Sequence, residues 1–247
     1  MATPFKAACY TDTDVSPWEV TSATVRTCLR PQRANPQDRV VFLLGDSHAA
    51  MLQPAIEQLI AGRRGVSLTW TGITGWHCGF MANAQDVEAR CEGLVTIMWD
   101  TIQQNVQQGD VVIVSHASYK YDPRQNGFLR RFYTDVLAPK GAKLLLMGNP
   151  PELPTFAIYC LTNQAPCIVH STANADKSRF LQPLAADVDG IFYFELWNLF
   201  CTEWQCGPTV PGTGTFAYFD MGHLTHSGAL YLVPYLCSFF DLSGLLT

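Results

Sequence analysis

The chain has 247 residues, of which 48% are hydrophobic, enough for one large domain with a substantial core. Its net charge of −5, without any run of Lys or Arg, argues against a nucleic-acid partner because phosphate binding needs a concentrated basic surface. No window reaches the ~18 consecutive apolar residues that a membrane-spanning helix needs.

The first segment, residues 1–38, contains four prolines and has no sustained periodicity. This pattern predicts an N-terminal extension that packs on a domain formed by residues 39–247. The first six residues also lack the basic and then apolar pattern of a signal peptide.

An apolar run over residues 40–44 predicts a first strand that is buried on both faces, as in a parallel sheet covered by helices. The run ends at Gly45-Asp46-Ser47-His48, and pairs of apolar residues four apart then predict an amphipathic helix. Ser47 therefore lies at the sheet edge where open α/β sheets bind ligands, and it is a candidate nucleophile. The alternative is a serine that only caps the helix.

Further apolar segments predict four more strands with helices between them. The strands are expected at 66–70, 111–114, 143–148 and 190–195, and the helices at 87–108, 127–138, 172–188 and, interrupted at a proline, 225–240. This alternation predicts an α/β fold, a three-layer sandwich around a central, mostly parallel five-stranded sheet. The proline-rich residues 149–170 predict a long loop beside the ligand-binding edge.

Asp220 precedes His223 by three residues, in a predicted turn that opens the last helix. An aspartate in this position can orient an imidazole and stabilise its charged form, which a serine nucleophile needs from its base. The two ends of the chain therefore predict a triad of Ser47, His223 and Asp220. His226, one helical turn beyond His223, is interpreted as a cap or a surface residue.

Gly45-Asp46-Ser47-His48, together with Asp220-Met221-Gly222-His223-Leu224-Thr225, resembles the SGNH, or GDSL-type, serine hydrolase family. The closest resemblance is to the SGNH domain at the C-terminus of membrane acyltransferases that O-acylate glycans. It extends from about residue 28 to residue 235 and implies an SGNH or flavodoxin-like fold. It also implies transfer of an acetyl-like acyl group to a carbohydrate hydroxyl through an acyl-enzyme, with no cofactor and no metal.

The partners that this resemblance implies are an acyl donor, a carbohydrate acceptor and a membrane acyltransferase domain in the full-length protein. Two other functions stay open. A carbohydrate O-acetylesterase would pass the same acyl-enzyme to water, and an inactive glycan-binding module would have lost turnover. The binding module is disfavoured because only catalysis requires Ser47, Asp220 and His223 together.

The oxyanion of an ester reaction needs hydrogen-bond donors, and the Ser47 N–H at a helix N-terminus is the first candidate. In SGNH relatives a glycine after the second strand also donates its N–H. Gly72 and Gly75 both match that position.

The wider family has an asparagine donor after the third strand, and this chain has none there. His116, Ser115 and Ser118 are the available substitutes, although a lone histidine at a strand end is more often a structural hydrogen-bonding group. Asn149 follows the fourth strand, which is the wrong one for this role.

The nine cysteines predict disulfides in the loops and in the extension. Pairing of neighbours gives Cys9–Cys28, Cys78–Cys91, Cys160–Cys167 and Cys201–Cys206, and leaves Cys237 alone. Zinc is the alternative, but the chain has no Cys-x-x-Cys pair. Disulfides indicate an extracytoplasmic compartment, whether secreted, lumenal or periplasmic. Without a targeting signal, the chain is expected to be a soluble domain excised from a longer protein.

Overall fold

The computed structural model describes most of the chain. The described residues are 26–31, 33–72, 89–117, 125–162, 167–170, 178–202 and 205–246. The statements below concern these residues.

Eight strands lie in the described part of the chain. They are β1 (Arg39–Gly45), β2 (Val66–Gly72), β3 (Val111–Ser115), β4 (Lys143–Met147), β5 (Val169–His170), β6 (Ile191–Phe194), β7 (Cys201–Thr202) and β8 (Gln205–Cys206). Five of them form one parallel sheet in the order β2-β1-β3-β4-β6. The predicted central sheet is therefore confirmed, with one strand for each of the five apolar segments.

Seven α-helices accompany these strands in the described residues. They are α1 (Ser47–Ala61), α2 (Ala89–Asn105), α3 (Gln125–Phe132), α4 (Ala157–Thr162), α5 (Leu181–Asp187), α6 (His226–Tyr231) and α7 (Val233–Ser243). A π turn, Tyr133–Leu137, and a 3-10 turn, Ala138–Lys140, extend α3. None of the described helices is both long and apolar enough to span a bilayer.

The last predicted helix is divided in two, at the proline that the sequence pointed to. Pro234 lies in the first turn of α7. Proline has no backbone N–H and is tolerated only where a helix begins, so the chain ends α6 and starts a new helix there.

Both faces of the sheet are covered, as the unbroken apolar runs predict. Along β1, Val41 and Leu43 face one core, which α1, α6 and α7 cover. Val40, Phe42 and Leu44 face the other core, which α2, α3 and α5 cover. All five side chains are completely buried. The three-layer α/β sandwich is confirmed.

A second, small sheet is not predicted by the sequence. It is antiparallel, in the order β5-β8-β7, and its strands have two residues each. The proline-rich residues 149–170, interpreted as a loop, contain α4 and β5. Two-residue strands have no periodicity that sequence inspection can detect.

Two disulfides of the predicted set are present in the described residues. Cys160–Cys167 joins α4 to the segment before β5, and Cys201–Cys206 joins the paired strands β7 and β8. Cys237 is a free cysteine.

Cys28 is also disulfide-bonded. Cys9, Cys78 and the side chain of Cys91 lie outside the described part of the chain, so the other two pairings stay predictions.

The described end of the N-terminal segment packs on the sheet. Leu29 is fully buried in the core beside α2 and α3, and the Thr69 hydroxyl donates to the Cys28 carbonyl at 2.7 Å. Arg33 forms an ion pair of 2.5 Å with Asp110. The described part of this segment is therefore in contact with the α/β sandwich through Cys28, Leu29 and Arg33.

Candidate functional site

The turn after β1 is shaped by a glycine and an aspartate. Gly45 has a φ of +150°, and a Cβ atom there would lie 1.8 Å from the Ser115 carbonyl oxygen of β3, so only glycine fits. Asp46 is the N-cap of α1, and its Oδ1 atom accepts the His48 N–H at 2.9 Å. Ser47 is thus the first helical residue rather than the cap, and its hydroxyl is not used for capping.

The second oxygen of Asp46 connects this turn to the end of β3. Asp46 Oδ2 accepts the Ala117 N–H at 3.1 Å and lies 3.7 Å from His116 Nδ1. The His116 side chain is completely buried against this carboxylate. Asp46 therefore fixes the place where β1 and β3 end side by side.

The turn before α6 orients a histidine through a single carboxylate. Asp220 Oδ1 accepts the N–H groups of Gly222 and His223, each at 2.8 Å. Asp220 Oδ2 is then directed at His223 Nδ1, 2.6 Å away. One side chain holds both the backbone of the turn and the imidazole ring.

The two distant segments meet at the sheet edge. His223 Nε2 lies 2.6 Å from Ser47 Oγ, across 176 positions of sequence. With His223 Nδ1 bonded to Asp220, the geometry is a continuous chain of hydrogen bonds from carboxylate to imidazole to hydroxyl. Such an arrangement can move the hydroxyl proton to the imidazole while the oxygen attacks an electrophile.

The charges in this chain of hydrogen bonds reinforce one another. Burial by itself raises the pKa of Asp220, but the hydrogen bonds from His223 and from two backbone N–H groups outweigh it and hold that pKa well below its usual range. The hydrogen bond to Asp220 raises the pKa of His223 above its ordinary value, against the effect of burial. The carboxylate is therefore ionised, and it stabilises a protonated imidazole.

The turn that carries His223 is attached to its surroundings on both sides. The N–H of Leu224 donates to the Met51 sulfur of α1 at 3.2 Å, and the N–H of Leu153 donates to the Met221 carbonyl at 2.7 Å. Thr225 caps α6 by accepting the Gly228 N–H at 3.0 Å. His226 is the exposed first residue of α6, as expected for a surface residue.

Some of the predicted oxyanion donors can be placed. The Ser47 N–H begins the 15-residue helix α1 and donates to no group within the described residues. Gly72 ends β2 and pairs in register with Gly45, so its backbone lies at the same sheet edge. Gly75 and Ser118 lie outside the described residues.

Ser115 and His116, the other two candidates, are both fully buried. The His116 ring lies beside the Asp46 carboxylate, a position that suits a structural role at the turn.

Two further polar side chains lie beside the triad, and sequence reasoning did not assign them to it. The His48 ring lies 4.8 Å from the His223 ring, centroid to centroid, and Asn149 interacts with His48. The position of His48, directly after Ser47 in the sequence, indicates that its side chain lies near the site. Asn149 is not predicted as an oxyanion donor because it follows the fourth strand, which is the wrong one for that role, yet its side chain interacts with His48.

Three or more potential metal ligands do not cluster anywhere in the described part of the chain.

Comparison with known proteins gives one family match. The family model of the SGNH domain (fused to AT3 domains) matches residues 8–236. No curated protein matches the chain.

Two solved structures share the fold. The periplasmic domain of a lipopolysaccharide acetyltransferase from Salmonella ser. Paratyphi A is 16% identical, with a TM-score of 0.63 and 90% of each chain covered. A protein from Streptococcus pneumonia, provisionally described as a platelet activating factor, is 12% identical, with a TM-score of 0.53 and coverage of 88% of this chain and 90% of that one. At these identities the likeness concerns the fold.

Proposed function

The chain belongs to the family of SGNH domains that are fused to AT3 domains, and from this premise we propose that it transfers O-acyl groups to carbohydrate hydroxyls. The acyl group, acetyl by preference, would be held as an ester of Ser47. The observation that carries this proposal is the pair of 2.6 Å hydrogen bonds that link Ser47, His223 and Asp220.

In the first half-reaction Ser47 Oγ attacks the carbonyl carbon of the acyl donor. His223 Nε2 takes the hydroxyl proton, and Asp220 holds the Nδ1–H tautomer and stabilises the imidazolium that forms. His223 then returns the proton to the leaving group, so that the donor departs and an acyl-enzyme remains.

The negative oxygen of the tetrahedral intermediate needs donors that are already in place. The Ser47 N–H suits this role because it begins α1 and is uncommitted within the described residues. Gly72, at the neighbouring strand end, and Gly75 are the proposed additional donors, and each is expected to contribute about 3 kcal/mol to the rate. The burial of His116 makes it the weakest candidate.

In the second half-reaction an alcohol takes the acyl group. Transfer is favoured over hydrolysis by the family's fusion to AT3 domains and by the likeness to an acetyltransferase domain. A carbohydrate O-acetylesterase with the same triad is the second candidate. A glycan-binding module without turnover is the third, and the bonded geometry of the triad argues against it.

The same comparisons suggest how the acyl group arrives. We propose that a membrane acyltransferase domain, joined to this one in the full-length protein, supplies it. The disulfides Cys160–Cys167 and Cys201–Cys206 support an extracytoplasmic location, such as the periplasm, because disulfides persist in oxidising compartments.

Covalent labelling tests the nucleophile. A fluorophosphonate is expected to add its mass to the peptide that contains Ser47, and Ser47→Ala is expected to abolish labelling and to lower kcat on an acetyl ester by at least about a thousandfold. Ser227→Ala, at an exposed serine of α6, is the matched control, and it is expected to keep both the labelling and the kcat. Labelling that is absent, or that survives in Ser47→Ala, contradicts the proposal.

Product analysis separates the first two candidates. With a chromogenic acetyl ester as donor and an oligosaccharide as acceptor, transfer accumulates acetylated sugar, which mass spectrometry detects. Release of acetate alone, at the same rate with and without sugar, favours the esterase.

A further inference from the structure

The His48 side chain packs against the turn that carries the proposed base. Only 8% of His48 is exposed, and its ring is tilted by 52° against the ring of His223 at 4.8 Å. A Cβ atom on Gly222 would lie 3.7 Å from His48 Cε1 and 3.8 Å from Nε2. The Cε1–Nε2 edge of His48 therefore faces the Asp220–His223 turn.

The neighbouring Nδ1 corner of the ring lies in an unusual polar environment. His48 Nδ1 is buried without an ordinary hydrogen bond in the described structure. His48 Nε2 is not among the atoms in this state. Asn149 is 2% exposed, and both atoms of its amide are also buried without an ordinary hydrogen bond. The amide is nevertheless close enough to His48 to act on its pKa.

Buried polar groups with incomplete hydrogen bonding oppose folding. A buried donor or acceptor without a partner costs about 1–3 kcal/mol, and apolar side chains of the same shape would avoid that cost. Violations of this kind are expected at functional sites rather than in ordinary cores. The His48–Asn149 pair, directly beside the triad, is such a violation.

His48 also has the charge state of a hydrogen-bonding group rather than of a base. Burial, with a smaller contribution from the nearby His223, lowers its pKa to about 4 against the opposing effects of Asp46 and Asn149. A neutral imidazole has one donor and one acceptor nitrogen. It neither competes with His223 for the Ser47 proton nor repels His223 when that ring is protonated.

We propose that His48 and Asn149 form an acceptor subsite, in which His48 Nε2 hydrogen-bonds the hydroxyl next to the one that attacks the acyl-enzyme. Asn149 is a positioning residue that orients the His48 ring. The inference rests on the proposed function and specifies its substrate class: the acceptor is a vicinal diol, as on a sugar ring, rather than a simple alcohol.

The transfer step balances without any proton from His48. The attacking hydroxyl gives its proton to His223 Nε2 as its oxygen forms a bond to the acyl carbon. The bond from that carbon to Ser47 Oγ then breaks, and His223 returns the proton to Ser47. The ring spacing of 4.8 Å places His48 close enough for the neighbouring hydroxyl to be held during this step.

Partition of the acyl-enzyme among competing acceptors tests the subsite. p-Nitrophenyl acetate is the donor, and methyl α-D-glucopyranoside, methanol and water are the acceptors. The variants are His48→Phe and Asn149→Leu, and His226→Phe is the matched control at an exposed histidine.

In both variants the ratio of glycoside ester to acetate is expected to fall about tenfold, the value of one good hydrogen bond. The ratio of methyl acetate to acetate is expected to change by less than about twofold, because methanol has no second hydroxyl for the subsite to bind. The control is expected to keep both ratios.

Two results overturn the inference: an unchanged glycoside ratio, or an equal fall for glycoside and methanol. If His48→Phe does not fold, Asn149→Leu decides alone, since it leaves His48 in place and removes only the amide that acts on it. If the unmodified protein forms no acyl-enzyme or does not acylate the glycoside, the proposed function is wrong and this inference falls with it.

Discussion

The Asp220 carboxylate sets the proton affinity of His223 through one hydrogen bond of 2.6 Å. Only the neutral imidazole can accept the Ser47 proton, so activity is expected to rise as pH increases through the pKa of His223. Because Asp220 raises that pKa, the midpoint of the rise is expected above 6.5, the ordinary value for histidine.

Asp220→Asn removes the charge and favours the wrong tautomer. It is expected to move the midpoint of kcat/KM to lower pH and to reduce kcat by about 10³–10⁴-fold. The pH profile on an acetyl ester measures both effects. Asp241→Asn, at an exposed carboxylate paired with Arg63, serves as the control. A midpoint that stays in place in Asp220→Asn contradicts the assigned role of the carboxylate.

For single residues, the sequence motifs predicted which side chains of the triad meet. The position of Asn149 depends instead on how the chain packs. Ser47 and the Asp220–His223 pair carry recognisable spacing, and their contact in space follows. Asn149 carries no such spacing, because its proximity to His48 depends on how the folded sheet places the segment after β4 and not on any short sequence pattern.

The end of β1 depends on close approach to β3, and Gly45 allows it. In Gly45→Ala the new methyl group overlaps the Ser115 carbonyl oxygen, 1.8 Å away, at a φ of +150° that L-residues rarely adopt. The strands must separate at the point that positions Ser47. The variant is expected to lose about 3 kcal/mol of unfolding free energy and most of its fluorophosphonate labelling.

Urea denaturation and labelling measure these two losses. The matched control is Gly62→Ala at the end of α1, where φ is −89° and nothing lies within 4 Å of a new Cβ atom. It is expected to stay within about 1 kcal/mol of the unmodified protein. Equal unfolding free energies of the two variants would show that the contact with β3 does not restrict residue 45 to glycine.

Elements with many apolar residues were predicted well, and short ones were not. The five sheet strands follow from unbroken apolar runs because a strand buried on both faces needs them. The β7–β8 pair was missed because it has two residues in each strand and its connection, Glu203-Trp204, lacks the glycine of common tight turns. The π turn after α3 follows no sequence pattern that would predict it.

At the scale of the whole molecule, a buried ion pair joins the N-terminal segment to the sheet. Asp110 is completely buried, and it accepts hydrogen bonds from Arg33, from the Val40 N–H and from the Gln107 N–H. Arg33→Ala leaves the carboxylate buried with the two backbone donors alone. The expected loss of unfolding free energy is about 3 kcal/mol, measured by urea denaturation.

The control for this prediction is an exposed ion pair. Arg130 lies 3.7 Å from Asp187, and both side chains are about half exposed or more. Arg130→Ala is expected to cost less than about 0.5 kcal/mol. If both arginine variants lose the same small amount, residues 26–38 contribute little to the stability of the sandwich.

The attachment of the His223 turn has a consequence for the timing of the reaction. Met51, which holds Leu224, belongs to the same helix that Ser47 begins, and Leu153 holds Met221 from the other side. Because these contacts join the helix of Ser47 to the turn of His223, we expect the two groups to move together and to be aligned before any substrate arrives. Proton transfer would then need no preceding search among conformers.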